Sequence, residues 1–74
     1  MRITERFGAA VRIHRKHAGL SQEQLALEAS LDRTYVSGVE RGVRNPSLIV
    51  IHRLAQAPKV REDELFRTAY EEVG

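Results

Sequence analysis

The sequence contains no cysteine and only two prolines. Without cysteine, neither a disulfide nor a thiolate metal site can support the fold. With little proline and many strong helix formers, the chain is expected to be all-helical. No apolar run approaches the ~18 residues that a membrane-spanning helix needs. The first nineteen residues, MRITERFGAAVRIHRKHAG, are charged throughout and lack the apolar centre of a signal peptide, so a cytoplasmic protein is expected. The chain also lacks an HExxH pair and a phosphate-cradling glycine loop, and His14, His17 and His52 form no triad or ligand pattern. The reading is therefore of a protein that is not an enzyme and carries no cofactor and no metal.

What is present belongs to a soluble domain. Hydrophobic residues make up 42% and charged residues 30% of the 74 positions. That balance excludes a disordered tail and fits one domain, residues 1–74. A chain this short buries only about 60% of its unfolded surface, so its stability is marginal. Helix packing and oligomerisation are the remaining means of raising it. The net charge is only +2, but its distribution is uneven: up to residue 60 the balance is +5, and from Arg61 onward it is −3. A basic body with an acidic end is compatible with a nucleic-acid face on the body.

Five helices follow from the apolar spacing and the caps. In the first, about Thr4 to His17, Ile3, Phe7, Val11 and His14 share one stripe with Ala10 and Ala18 beside them, and Gly19 ends it. His14 stands where an aliphatic residue would be usual and reads as a partly buried, edge-bonded histidine. The second starts at Ser21, which with Gln24 forms an S-x-x-Q capping box, while Leu20 staples against Leu25. Leu25, Ala26 and Ala29 are its inner face. The third is capped by Asp32 and buries Val36 and Val39, with Leu31 packing just before the cap. Arg33, Thr34, Ser37 and Gly38 lie on its outer side, flanked by Tyr35, and Gly42 ends it. Asn45 before Pro46 marks a loop, and Ser47 caps a fourth helix over Leu48 to Ala57. Leu48, Ile49, Val50, Ile51, Leu54 and Ala55 cover more than one stripe of that helix, which suggests burial on two sides and a second copy as the partner. Glu62, Asp63 and Glu64 open a fifth helix with the charge its N-terminus prefers, and Leu65, Phe66, Ala69 and Val73 are its apolar positions.

Two short helices joined by a tight turn, the second polar outside, have the form of a helix-turn-helix. In that geometry the first residues of the second helix meet base edges. Arg suits guanine O6 and N7, and Thr can bond a base or touch a thymine methyl, so Arg33 and Thr34 are the expected readers. The backbone at Ser21 and Gln22 can receive a phosphate, with the Gln22 side chain adding a bond. Arg44 and Asn45, just beyond, can grip the next phosphate or reach a base.

The run LSQEQLALEASLDRTYVSGVERGVRNPS resembles the helix-turn-helix of the Cro/phage-repressor superfamily, in its G-L-S-Q-E-x-L-A opening, V-S-x-x-E-R-G close and following N-P-S. In so short a protein, LDRTYVSGVERGVRNPS is most similar to the controller proteins of bacterial restriction–modification systems. The resemblance implies a five-helix homodimeric regulator. It would bind a pseudo-palindromic double-stranded DNA operator and control restriction–modification genes, its own included. Its place would be the bacterial nucleoid, with RNA polymerase as a further partner. It assigns base reading to Arg33 and Thr34 and a backbone contact on bent DNA to Tyr35. Gln22, Ser37, Arg44 and Asn45 would contact phosphates or neighbouring bases, and Arg41 would be either a phosphate contact or a surface charge. Arg15 and Glu40 match a structural pair. Dimerisation through helices four and five would use Ile49, Val50, Leu54, Leu65 and Phe66. Gly38 departs from the many members with a base-reading side chain there, which leaves more of the readout to Arg33 and Thr34. The alternative is an antitoxin-like or adaptor module whose main role is binding another protein.

Overall fold

The computed structural model describes residues 1–74 and contains five α-helices with no strand. They are α1 (Ile3–His17), α2 (Gln22–Ala29), α3 (Arg33–Glu40), α4 (Leu48–Gln56) and α5 (Glu62–Glu71). The expected element order and boundaries agree with these to within a residue or two.

The starts follow the local chemistry. Ser21 Oγ accepts from the Gln24 N–H at 3.0 Å while Gln24 Oε1 accepts from the Ser21 N–H at 2.8 Å, which completes the capping box. Asp32 and Ser47 cap α3 and α4 through their side-chain oxygens. Glu5 and Glu64 each accept the backbone N–H three residues before them, at Arg2 and Arg61.

The ends share one device. A residue in the left-handed conformation follows each of the first four helices: Gly19 (φ 74°), Ser30 (φ 58°), Gly42 (φ 78°) and Lys59 (φ 63°). The next N–H then turns back to a carbonyl five residues earlier, in Leu20→Arg15, Leu31→Ala26, Val43→Gly38 and Val60→Ala55. This closure satisfies orphan carbonyls and aims an apolar residue at the helix just ended. Leu20, Leu31 and Val60 accordingly pack on the core.

The core is formed by Phe7, Val11, Leu25, Ala26, Val36, Val39, Leu54, Ala55 and Leu65. α1 packs against α3 and α5, α2 against α3 and α4, and α4 against α5. At the α1–α3 crossing, a Cβ on Gly8 would stand 2.1 Å from the Val39 carbonyl oxygen. Only a residue without a side chain lets the two backbones come that close. Arg6 closes the far end: its Nη1 donates to the Ala69 and Val73 carbonyls at 3.2 and 3.0 Å, and its guanidinium stands 5.2 Å from the Tyr70 ring. His14 is half-buried and bonds the buried Thr68 Oγ1 at 2.7 Å, the edge-bonded placement its position suggested.

Two expectations need correction. Ile3 and Ala18, assigned to the inner stripe of α1, are exposed. The stripe narrows to Phe7, Ala10 and Val11 because α1 is covered only where α3 and α5 cross it. Leu54 and Leu65 were assigned to a dimer face, but both are completely buried within the single chain. A side chain with no exposed surface has none left to offer a partner. The apolar residues that remain exposed on α4 and α5 are Leu48, Ile49, Phe66 and Tyr70. Gly38 lies on the outer side of α3 as expected but is not exposed there, because the Arg44 and Val43 side chains cover it.

Candidate nucleic-acid interface

The site is built on the first turns of α3. Asp32 sets its geometry: one carboxylate oxygen accepts both the Thr34 N–H at 3.0 Å and the Thr34 hydroxyl at 2.8 Å. The Thr34 hydroxyl, then its backbone N–H, hold the Asp32 carboxyl below the ordinary carboxylate value. This arrangement also limits what Thr34 offers outward. With its proton given to Asp32, the hydroxyl presents lone pairs and the methyl group presents an apolar surface. Arg33 beside it is exposed.

Behind this face lies a buried ion pair. Arg15 Nε and Nη2 donate to the two Glu40 carboxylate oxygens at 2.7 and 3.1 Å, and Arg15 Nη1 donates to the Leu20 carbonyl at 2.9 Å. The two side chains are only 10% and 4% exposed. Gln22 Nε2 adds a bond to Glu40 at 3.0 Å. The last turn of α1, the first residue of α2 and the last residue of α3 are thereby tied at one point. No buried side-chain polar atom lacks a partner. The structure thus draws Gln22, expected at a phosphate, into the brace, where one of its donors is engaged. The sequence carried the Arg15–Glu40 pairing only through resemblance, and it carried no sign of the third member.

The remaining residues flank the face. Ser37 is half-buried, and its carbonyl accepts from Arg41 Nε at 3.3 Å along the exposed side of the helix. Arg44 is exposed, and its guanidinium carbon lies 5.9 Å from the centroid of the Tyr35 ring. Arg33, Arg41 and Arg44 therefore put three exposed guanidinium groups on α3 and the turn after it. Asn45 goes elsewhere: with Ile3, Thr4, Phe7, Pro46, Ile51 and Phe66 it lines an open cavity of about 190 Å³. No helix is long and apolar enough to cross a membrane.

A short, braced helix that follows another across a tight turn, with Arg33 and Thr34 exposed at its start, has the form of the second helix of a helix-turn-helix. The helix-turn-helix family pattern matches residues 11–65, most of the chain. The chain belongs to the helix-turn-helix family of transcriptional regulators. Within it, the chain is similar to restriction–modification controller proteins. It is 45% identical over 60 residues to the control protein C.BamHI of Bacillus amyloliquefaciens, covering 80% of this chain and 74% of that protein. The crystal structure of the controller protein C.AhdI from Aeromonas hydrophila superposes with a TM-score of 0.83 at 51% identity, over 85% of this chain and 96% of that one. The controller protein C.Esp1396I, solved as a tetramer in complex with its natural 35 base-pair operator, superposes with a TM-score of 0.87 at 27% identity. That match covers 99% of this chain and 96% of that one.

Proposed function

We propose that this helix-turn-helix protein binds a pseudo-palindromic DNA operator as a homodimer and controls restriction–modification genes, its own among them. The observation that carries the reading is the start of α3: Arg33 and Thr34 stand exposed on a helix that a buried ion pair anchors from behind. Arg33 reads a guanine through two parallel hydrogen bonds, and Thr34 meets a thymine methyl or a base amino group. Tyr35, Ser37, Arg41 and Arg44 contact the adjacent backbone and bases, and Gln22 acts mainly by holding Glu40. Relatives that are controller proteins support the restriction–modification assignment, and the operator complex of one of them supports the DNA partner.

Two reading heads are needed because one short helix covers only a few base pairs. The exposed Leu48, Ile49 and Phe66, with the half-buried Val50, supply an apolar face for a second copy. Pairing the heads makes occupancy rise steeply with concentration, which suits a regulator of its own gene. It acts at the nucleoid in the cytoplasm, and any activation of transcription involves contact with RNA polymerase. Selection of bound DNA from a random pool, followed by footprinting, tests the reading. The expected result is an inverted repeat with half-sites about one helical turn, roughly 34 Å, apart. Recovery of random sequence, or of a purified monomer that assembles only with a different protein, would favour the adaptor reading instead.

A further inference from the structure

Gly38 lies on α3 one helical turn after Thr34, on the side that carries the reading residues, and yet it is buried. What buries it comes from beyond the helix. A Cβ at residue 38 would stand 2.8 Å from Cγ of Arg44, 3.5 Å from its Nε and 3.6 Å from Cγ2 of Val43. The stem of Arg44 therefore lies flat across α3 at the one position that presents no side chain. Beyond that crossing its guanidinium stands over the Tyr35 ring. The chain reaches this path through the left-handed Gly42 and the bond from the Val43 N–H to the Gly38 carbonyl at 3.0 Å.

We propose that Gly38 is a specificity-positioning residue. Its missing side chain is the seat that lays Arg44 along the recognition helix, so that Arg44 supplies the base-reading group α3 itself lacks at that position. This rests on the reading of α3 as the groove-facing helix with Arg44 at the adjacent bases, and adds the residue that positions Arg44 there. Three physical points support it. At 5.9 Å from the Tyr35 centroid the guanidinium is within cation–π range and makes no hydrogen bond to the ring, so its N–H groups stay free for a base. A side chain already held in one path loses less rotamer freedom when it binds. The clash falls on Cγ, near the root of the side chain, so relieving it moves the whole Arg44 side chain relative to Tyr35.

The test compares Gly38→Ala, Arg44→Ala and the double variant in base-preference measurements on the selected operator, with Arg33→Ala as control. Alanine is the better helix former, so the melting temperature of Gly38→Ala should equal or exceed that of the parent. Its preference should nonetheless relax about tenfold at one base pair, the same base pair that Arg44→Ala affects. The double variant should match Arg44→Ala alone. The proposal is overturned if Gly38→Ala leaves preference unchanged, weakens operator and random DNA equally, or adds its full effect to Arg44→Ala. The Arg33 control separates the two levels. If Arg33→Ala also leaves base preference unchanged, the groove placement of α3 fails and the seat fails with it. If Arg33→Ala relaxes preference and Gly38→Ala does not, only the seat fails.

Discussion

Gly8 shows how little space separates α1 from α3. A Cβ there would meet the Val39 carbonyl oxygen at 2.1 Å and the Glu40 carbonyl oxygen at 2.8 Å. Neither is the free end of a side chain, so Gly8→Ala must push the helices apart. The expected cost is about 1–3 kcal/mol, measurable as a lowered midpoint in urea unfolding. From sequence, this glycine reads only as a weak helix former, because its neighbour across the crossing is some thirty positions away. Arg33 is the opposite case. It is exposed and makes no side-chain hydrogen bond within the chain, so Arg33→Ala should leave unfolding unchanged. It should cost about 1–3 kcal/mol of operator binding and relax preference at one base. Parallel titrations of operator and random DNA check this, and equal losses on both would contradict base reading. The type and place of Arg33 were legible in the sequence because a helix start is a local feature.

At the scale of elements, the fixed relation of α2 to α3 depends on the Arg15–Glu40–Gln22 cluster. Removing one member of a buried pair leaves an uncompensated charge, so Arg15→Met should cost about 3–5 kcal/mol. In a domain of this size that is a large share of the total stability. Replacing Glu40 by Leu in the same chain should restore much of the loss, as denaturant unfolding of the single and double variants would show. The cap of α3 carries a pH dependence. Its carboxyl titrates below the ordinary value of 3.8 in the folded chain, because Thr34 donates to it through its hydroxyl and then its N–H. The contribution of the cap is therefore complete above that value and is lost as pH falls through the lower, folded one. The difference in melting temperature between the parent and Asp32→Asn should be constant between about pH 5 and 8 and shrink below about pH 4. A difference that grows on acidification would contradict this account.

For the whole molecule, the exposed apolar residues matter more than the buried ones. Ile49 is 65% exposed, while Leu54 on the same helix is completely buried. Ile49→Asp should therefore change monomer stability by no more than about 0.5 kcal/mol. Sedimentation should nevertheless show it shifted toward monomer, and operator titrations should show weaker and less steep binding. A variant that remains dimeric would move the interface away from this part of α4. The open cavity beside Phe66 and Ile51 lies within the same apolar region, and Ile3 at the start of α1 also lines it.

The five helices, the caps at Ser21, Asp32 and Ser47, and the exposed place of Arg33 and Thr34 at the start of α3 were legible in the sequence alone. Capping boxes, apolar spacing and turn-forming residues act within one or two helical turns, and the chain states them directly. Tertiary structure decided which apolar residues were used up inside. The spacing on α4 and α5 placed Leu54 and Leu65 with Ile49 and Phe66, and only the packing of α5 on α1 and α4 separated core from free surface. It also decided that Gln22 turns to Glu40, that His14 meets Thr68 and that Arg44 crosses Gly38. Each of the first two joins helices distant along the chain, and the third depends on the backbone reversal at Gly42. Their geometry is set by crossing distances and turn angles that no local pattern encodes.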